Sequence, residues 1–166
     1  MNDYIIKIKN ILCPIDFSEC SHYALKYAST IAEQFQSTIH VVHILPLLPF
    51  CHAPYYFSED DFLVMRNKTI DPVNKELNNL CNTKVSSEVA CKSVVIEEDT
   101  PPFKGIVDYV KAKEIDLIVI ATHGCTGIKH SLFGSTIERV VRHASCPVLT
   151  VKNPEHEFIY SNTQKD

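Results

Sequence analysis

The run Ile115-Asp116-Leu117-Ile118-Val119-Ile120-Ala121 constrains this chain more than any other segment. Large aliphatic residues follow one another with no polar alternation, the pattern of a strand covered on both faces. Such a strand belongs in a parallel sheet, whose neighbours need helical crossovers. The rest of the chain supplies them. Lys9-Asn10-Ile11-Leu12-Cys13-Pro14 reads as a first buried strand closed by a turn. Ser18 stands to cap a helix in which Ala24, Leu25, Ala28, Ile31, Ala32 and Phe35 recur at helical spacing. Thr38 to Leu45 is β-branched and uncharged, a second strand expected to end before Pro46.

Beyond an aromatic, proline-containing stretch at 46–58 that shows no period, a helix is expected from Glu59 to about Asn79. Pro72 should start, kink or split it. Lys84 to Glu97 alternates in part and predicts a third strand with an irregular beginning. Pro101 and Pro102 open a helix carrying Ile106, Val107, Val110 and Ala112. A last helix from Ser135 places Ile137, Val140, Val141 and Ala144 on one face, with Ser135 and Glu138 as a capping box and Glu138 and Arg142 as a supporting pair. Val148 to Val151 closes the series. Strands alternating with helices predict an α/β fold, a single doubly wound, mainly parallel five-stranded sheet with helices on both faces. The domain is expected over 1–152, with a polar C-terminal tail at 153–166.

Composition narrows what such a domain can do. A net charge of −4 leaves no basic excess to collect nucleic-acid phosphates, so DNA and RNA are not expected partners. No run reaches the roughly 18 apolar residues of a membrane span, and Met1 to Asn10 lacks the apolar core of a secretory signal, so a cytoplasmic location and no membrane partner are expected. The 7 cysteines include no CxxC pair, and most are expected to be buried thiols. Cys51, His52 and His43 lack the two closely spaced ligand pairs of a zinc site.

Of only 4 glycines, Gly124, Gly127 and Gly134 fall between the fourth strand and the fourth helix. Glycine lets backbone N–H groups face a ligand, and the helix start at Gly134-Ser135-Thr136 adds orphan donors, a phosphate cradle. The same glycines could merely end a strand and start a helix, and spacing alone leaves both readings open. Neither G-x-x-x-x-G-K-[ST] nor G-x-G-x-x-G is present, which disfavours a Walker-type NTPase and a dinucleotide dehydrogenase. Lys129, His130 and Ser131 accompany the loop and are explained equally well as solvated or capping groups.

Pro14-Ile15-Asp16-Phe17-Ser18, His43-Ile44, Ala121-Thr122-His123-Gly124-Cys125-Thr126-Gly127, Gly134-Ser135 and Cys146-Pro147-Val148-Leu149, in this order, resemble the universal stress protein family over roughly Lys9 to Lys152. The resemblance implies a sheet ordered 3-2-1-4-5, which puts the reversal of winding between strands one and four, where open α/β sheets bind ligands. It implies ATP, ADP or AMP as ligand, with or without Mg²⁺, in a site comprising Pro14, Asp16, Ile44, Ala121, His123, Gly124, Gly127, Gly134, Ser135 and Thr136. Asp16 would bond the nucleoside, the main chain of Ile44 would meet adenine, and Gly124, Gly134 and Ser135 would hold phosphates. The family's G-x2-G-x9-G-[ST] pattern is kept except that Ala121 replaces its first glycine, adding a methyl where backbone approaches ligand. Glu97-Glu98-Asp99-Thr100-Pro101 departs from relatives that carry a glycine before the third helix. The implied role is a nucleotide-dependent stress-response switch, homodimeric through its fifth strand; a slow ATP hydrolase and a ligand-free interaction module are the alternatives. Asp16 is the only evident carboxylate at the site, which weakens the hydrolase.

Overall fold

Ile11, Leu12 and Cys13 are all fully buried, and a strand hides three successive side chains only when both of its faces are covered. That strand, β1 (Asn10–Pro14), lies at the centre of the sheet in the computed structural model, which describes residues 6–46, 59–122 and 135–152. β2 (Thr38–Pro46) and β3 (Cys91–Glu98) continue the sheet on one side, β4 (Leu117–Ala121) and β5 (Val148–Val151) on the other. The order is β3-β2-β1-β4-β5 and every pairing is parallel, as expected from the resemblance and the element pattern.

Alternation along the strands sorts the core into two layers. Ile11, Cys13, Ile39, Val41 and Val119 pack with Ala24, Leu25 and Ala28 of α1 (Glu19–Phe35) and with Leu77 and Leu80 of α2 (Glu59–Lys84). Leu12, Val42, Ile118 and Ile120 turn the other way, onto Ile106 and Val110 of α3 (Pro102–Ala112) and Ile137 and Val140 of α4 (Ser135–His143). Burial of each large aliphatic side chain contributes about 1.5–3 kcal/mol. Burial also puts the Cys13 thiol out of reach of ionisation, pushing it up to about 12.

Several local expectations are corrected. Pro72 neither starts nor splits α2, which runs through it to Lys84; its ring lies exposed, as does Lys68 four residues before it, so water can serve the carbonyl that proline leaves without a donor. β3 starts only at Cys91: Val85 and Val89 are buried plugs in the turn after α2, and Ser86 N–H is tied to Ser29 Oγ of α1 at 2.9 Å. β2 includes Pro46, which lies past the last β1 pairing, Pro14 with Val42, where only β3 flanks the strand. Phe35 leaves the buried face of α1 and is exposed. Asp116 precedes β4 rather than joining it, because its Oδ2 accepts the Lys9 and Asn10 N–H groups at 2.8 and 2.9 Å.

The cysteines also differ from expectation. Cys81 and Cys91 form a disulfide between the last turn of α2 and the first residue of β3, while Cys20 and Cys146 are half-buried thiols. Cys51 and Cys125 lie outside the described residues, as does the segment expected to be a C-terminal tail. Among the described residues, no helix is long and apolar enough to cross a membrane.

Candidate functional site

Parallel strands deliver all their carboxyl ends to one edge of the sheet, and the direction of winding changes between β1 and β4. Pro14 ends β1, half-buried and paired with Val42. Ile15 N–H continues the ladder to Val42 O at 2.8 Å, after which Asp16 and Phe17 leave the sheet. Phe17 adopts φ 63°, a left-handed conformation that a bulky side chain rarely takes. Strain of that kind persists only where surrounding bonds hold it.

Those bonds are present. Asp16 Oδ1 accepts from Ser18 N–H at 3.1 Å and from Ser18 Oγ–H at 2.5 Å. Ser18 Oγ in turn accepts from Ser21 N–H at 3.2 Å, which makes Ser18 the N-cap of α1, as expected. On the opposite side of the turn, His43 Nδ1 lies 2.7 Å from the Ile15 carbonyl, and its ring packs against Phe17 with centroids 4.8 Å apart. A carbonyl oxygen only accepts, so Nδ1 carries the proton. His43 therefore braces this turn through its Nδ1–H; among the described residues no group of three or more His, Cys, Asp or Glu is placed to hold a metal ion.

Ile44, the next residue, is half-buried on the α3 side of β2 and pairs with Ile96. Gly105 lets α3 come close to it: a Cβ there would lie 3.3 Å from Ile44 Cδ1 and 3.6 Å from Glu98 Cγ. Glu97 at this rim is neutralised by a two-pronged pair with Arg66 of α2, Nε to Oε2 at 2.8 Å and Nη2 to Oε1.

Ala121 ends β4, paired with Val151, and its side chain is buried in the layer beneath α1. Thr122 N–H then donates to Val151 O at 2.8 Å. Ser135 and Thr136 open α4, where Glu138 bonds Arg142 Nε at 3.1 Å as expected. The structure thus brings Pro14, Asp16 and Ala121 to the switch point, with Ile44 on the strand beside β1. His123, Gly124, Gly127 and Gly134 lie outside the described residues, as do Lys129, His130, Ser131 and His52. Sequence reasoning found Asp16 and the Ser18 cap but not the bond between them, nor the Phe17–His43 contact; the D-x-S spacing of an Asx turn running into a helix cap was the available signal.

The universal stress protein family model matches residues 7–152. A universal stress protein of Methanocaldococcus jannaschii, MJ0531, is 32% identical over 149 residues, covering 90% of this chain and 85% of that protein. The solved structure of MJ0577 superposes with a TM-score of 0.76 at 24% identity, over 91% of this chain and 100% of that one. A universal stress protein from Archaeoglobus fulgidus, solved in complex with dAMP, superposes with a TM-score of 0.54 at 20% identity, over 88% of this chain and 98% of that one.

Proposed function

The chain belongs to the universal stress protein family, and from that premise we propose that it binds an adenine nucleotide across the carboxyl ends of β1 and β4 and acts as a nucleotide-dependent switch in a stress response. The observation that carries this reading is the Asp16 carboxylate, held by Ser18 at the point where winding reverses. The dAMP held by the Archaeoglobus relative supports an adenosine-type ligand. In this reading Asp16 accepts from the nucleoside, the Ile44 main chain meets adenine beside Pro14 and Ala121, and the phosphates of ATP, ADP or AMP fall to His123, Gly124, Gly127, Gly134, Ser135 and Thr136. An accompanying Mg²⁺ would be carried by the phosphates themselves. The setting is the cytoplasm, where such nucleotides are available.

We also propose a homodimer through β5. That strand is a sheet edge, Leu149 on it is exposed, and neither charge nor proline within it discourages pairing. Calorimetric titration with ATP, ADP and AMP tests the nucleotide reading: binding that Asp16→Ala weakens is expected, and no binding by any of the three overturns it. For the dimer, light scattering on the wild type and on Thr150→Pro is expected to show a dimer and a weakened one; a monomeric wild type removes the interface.

A further inference from the structure

Ser18 has one hydroxyl proton and two lone pairs to distribute. The proton goes to Asp16 Oδ1 at 2.5 Å, and a lone pair receives Ser21 N–H at 3.2 Å. One hydroxyl therefore does two separable jobs, capping α1 and fixing a carboxylate. Its own N–H reinforces the second by reaching the same Oδ1 at 3.1 Å. With both donors converging on one oxygen, rotation of the carboxylate is arrested and the direction of Oδ2 is set with it. The Phe17 backbone at φ 63°, braced by His43 on the far side of the turn, keeps Ser18 within reach of Asp16.

We infer that Ser18 is a positioning residue for ligand recognition, acting through Asp16: its donated proton presents the carboxylate to a hydroxyl-bearing sugar of the ligand, in a role distinct from helix capping. This rests on the adenine-nucleotide reading of the same crevice. A residue that only capped α1 could be replaced by any good cap, because aspartate serves as well as serine at that position. A residue that orients Asp16 must donate, and an ionised aspartate cannot; it would also set a second negative charge beside the first.

The experiment compares ADP titration calorimetry and thermal unfolding for wild type, Ser18→Thr and Ser18→Asp. Threonine keeps both cap and donor, so affinity within about threefold of wild type is expected. Aspartate keeps the cap but sets a like charge beside Asp16, so its unfolding midpoint falls below wild type while the protein stays folded at the titration temperature, and affinity falls about tenfold or more. Lowering the pH of the Ser18→Asp titration supplies a readout that capping alone does not move. Protonation of one member of the carboxyl pair restores an O–H donor, so affinity relative to wild type recovers towards acid. Glu19, His22 and His43, common to both proteins, are controlled by the wild-type profile. Ser18→Asp with wild-type affinity, or reduced affinity that does not recover towards acid, overturns the positioning role alone. A wild type that binds no adenine nucleotide overturns the underlying reading and this inference with it.

Discussion

Asp16 and Asp116 are both carboxylates beside the central strand, one at its carboxyl end and one at its amino end, and they are used differently. Asp116 Oδ2 gathers the N–H groups of Lys9 and Asn10, more than a hundred residues away in sequence, and so ties the start of β4 to the start of β1. Asp16 Oδ1 accepts from Ser18 N–H and Oγ–H, two residues on, within a turn that holds a left-handed phenylalanine. The same contrast extends around each end. At the amino end Ser37 Oγ–H serves the Ile8 carbonyl at 2.6 Å, His40 meets Tyr109 at 2.9 Å, and Cys81 is bonded to Cys91. Those contacts satisfy or tie down backbone and core. At the carboxyl end Ser18 N–H and Oγ–H converge on the Asp16 side chain, beside a His43 bond to the Ile15 carbonyl, within a turn that carries backbone strain. The amino end ties strands and helices together, and at the carboxyl end bonds converge on the turn that carries Asp16.

Changes at the amino end should therefore lower stability and leave nucleotide affinity alone, and the disulfide gives the largest expected effect. Its partners are 10 residues apart, and closing a loop of about that length restricts the unfolded chain by about 2–3 kcal/mol. Urea unfolding with and without dithiothreitol is expected to differ by that amount, with unchanged affinity for ADP. Coincident transitions would show that the staple contributes nothing; a loss of affinity would mean the two ends of the sheet are coupled.

Asp116→Ala set against Asp16→Ala tests the comparison directly. Removing an ionised acceptor from two backbone donors at Asp116 should cost about 2 kcal/mol, with binding unaffected. Asp16→Ala should do the reverse, costing about 1.4 kcal/mol or more of binding, a tenfold loss, and less than that in stability. If both variants lose stability equally and neither loses affinity, the carboxyl end is ordinary packing.

A smaller effect is expected from acid. Burial, followed by the positive charges of Lys92 and Lys113, pushes the His40 pKa below its usual 6.5. Above pH 6.5 the imidazole is neutral whether the chain is folded or not. As pH falls below that value the unfolded chain takes up the proton first, so stability is lost, by at most about 1.4 kcal/mol per pH unit for one proton. Chemical denaturation of wild type and His40→Gln between pH 7 and 5 should give a steeper loss for wild type; parallel curves would remove His40 as the cause.

Much of this division could be read in the chain. Aliphatic runs such as Ile118-Val119-Ile120 fix strands because burial on both faces leaves few alternatives, and the Ser18 cap follows from local chemistry. Val85 and Val89 misled because a valine plugging a turn looks the same as one in a strand. Pro72 did not start or split α2 because an exposed helix face lets water replace the lost bond. The Cys81–Cys91 pair depends on where α2 meets β3, which no spacing reveals. At the carboxyl edge of the sheet, the places of Asp16 and Ile44 beside the switch point were legible through family motifs. The left-handed Phe17 was not, because its conformation is imposed by neighbours against its own preference.

Ala121 is the residue that fits neither side of the comparison cleanly. By position it ends β4 at the switch point, where the family pattern has glycine; by contact its methyl lies in the layer beneath α1. Ala121→Gly removes that methyl and frees the backbone of a strand, which together should cost about 1 kcal/mol of stability. Affinity for ADP should stay level or rise, since the substitution restores the glycine. Equilibrium unfolding and calorimetry on the same preparation separate the contributions. Lost stability with level affinity assigns Ala121 to packing, with the residues of the amino end. A rise in affinity shows that the methyl, or the stiffness it gives the strand end, restrains the approach of the ligand. A fall in affinity with stability intact would make the methyl a contact surface for the nucleotide, and the replacement of glycine would then be an adaptation of the site and not a departure from it.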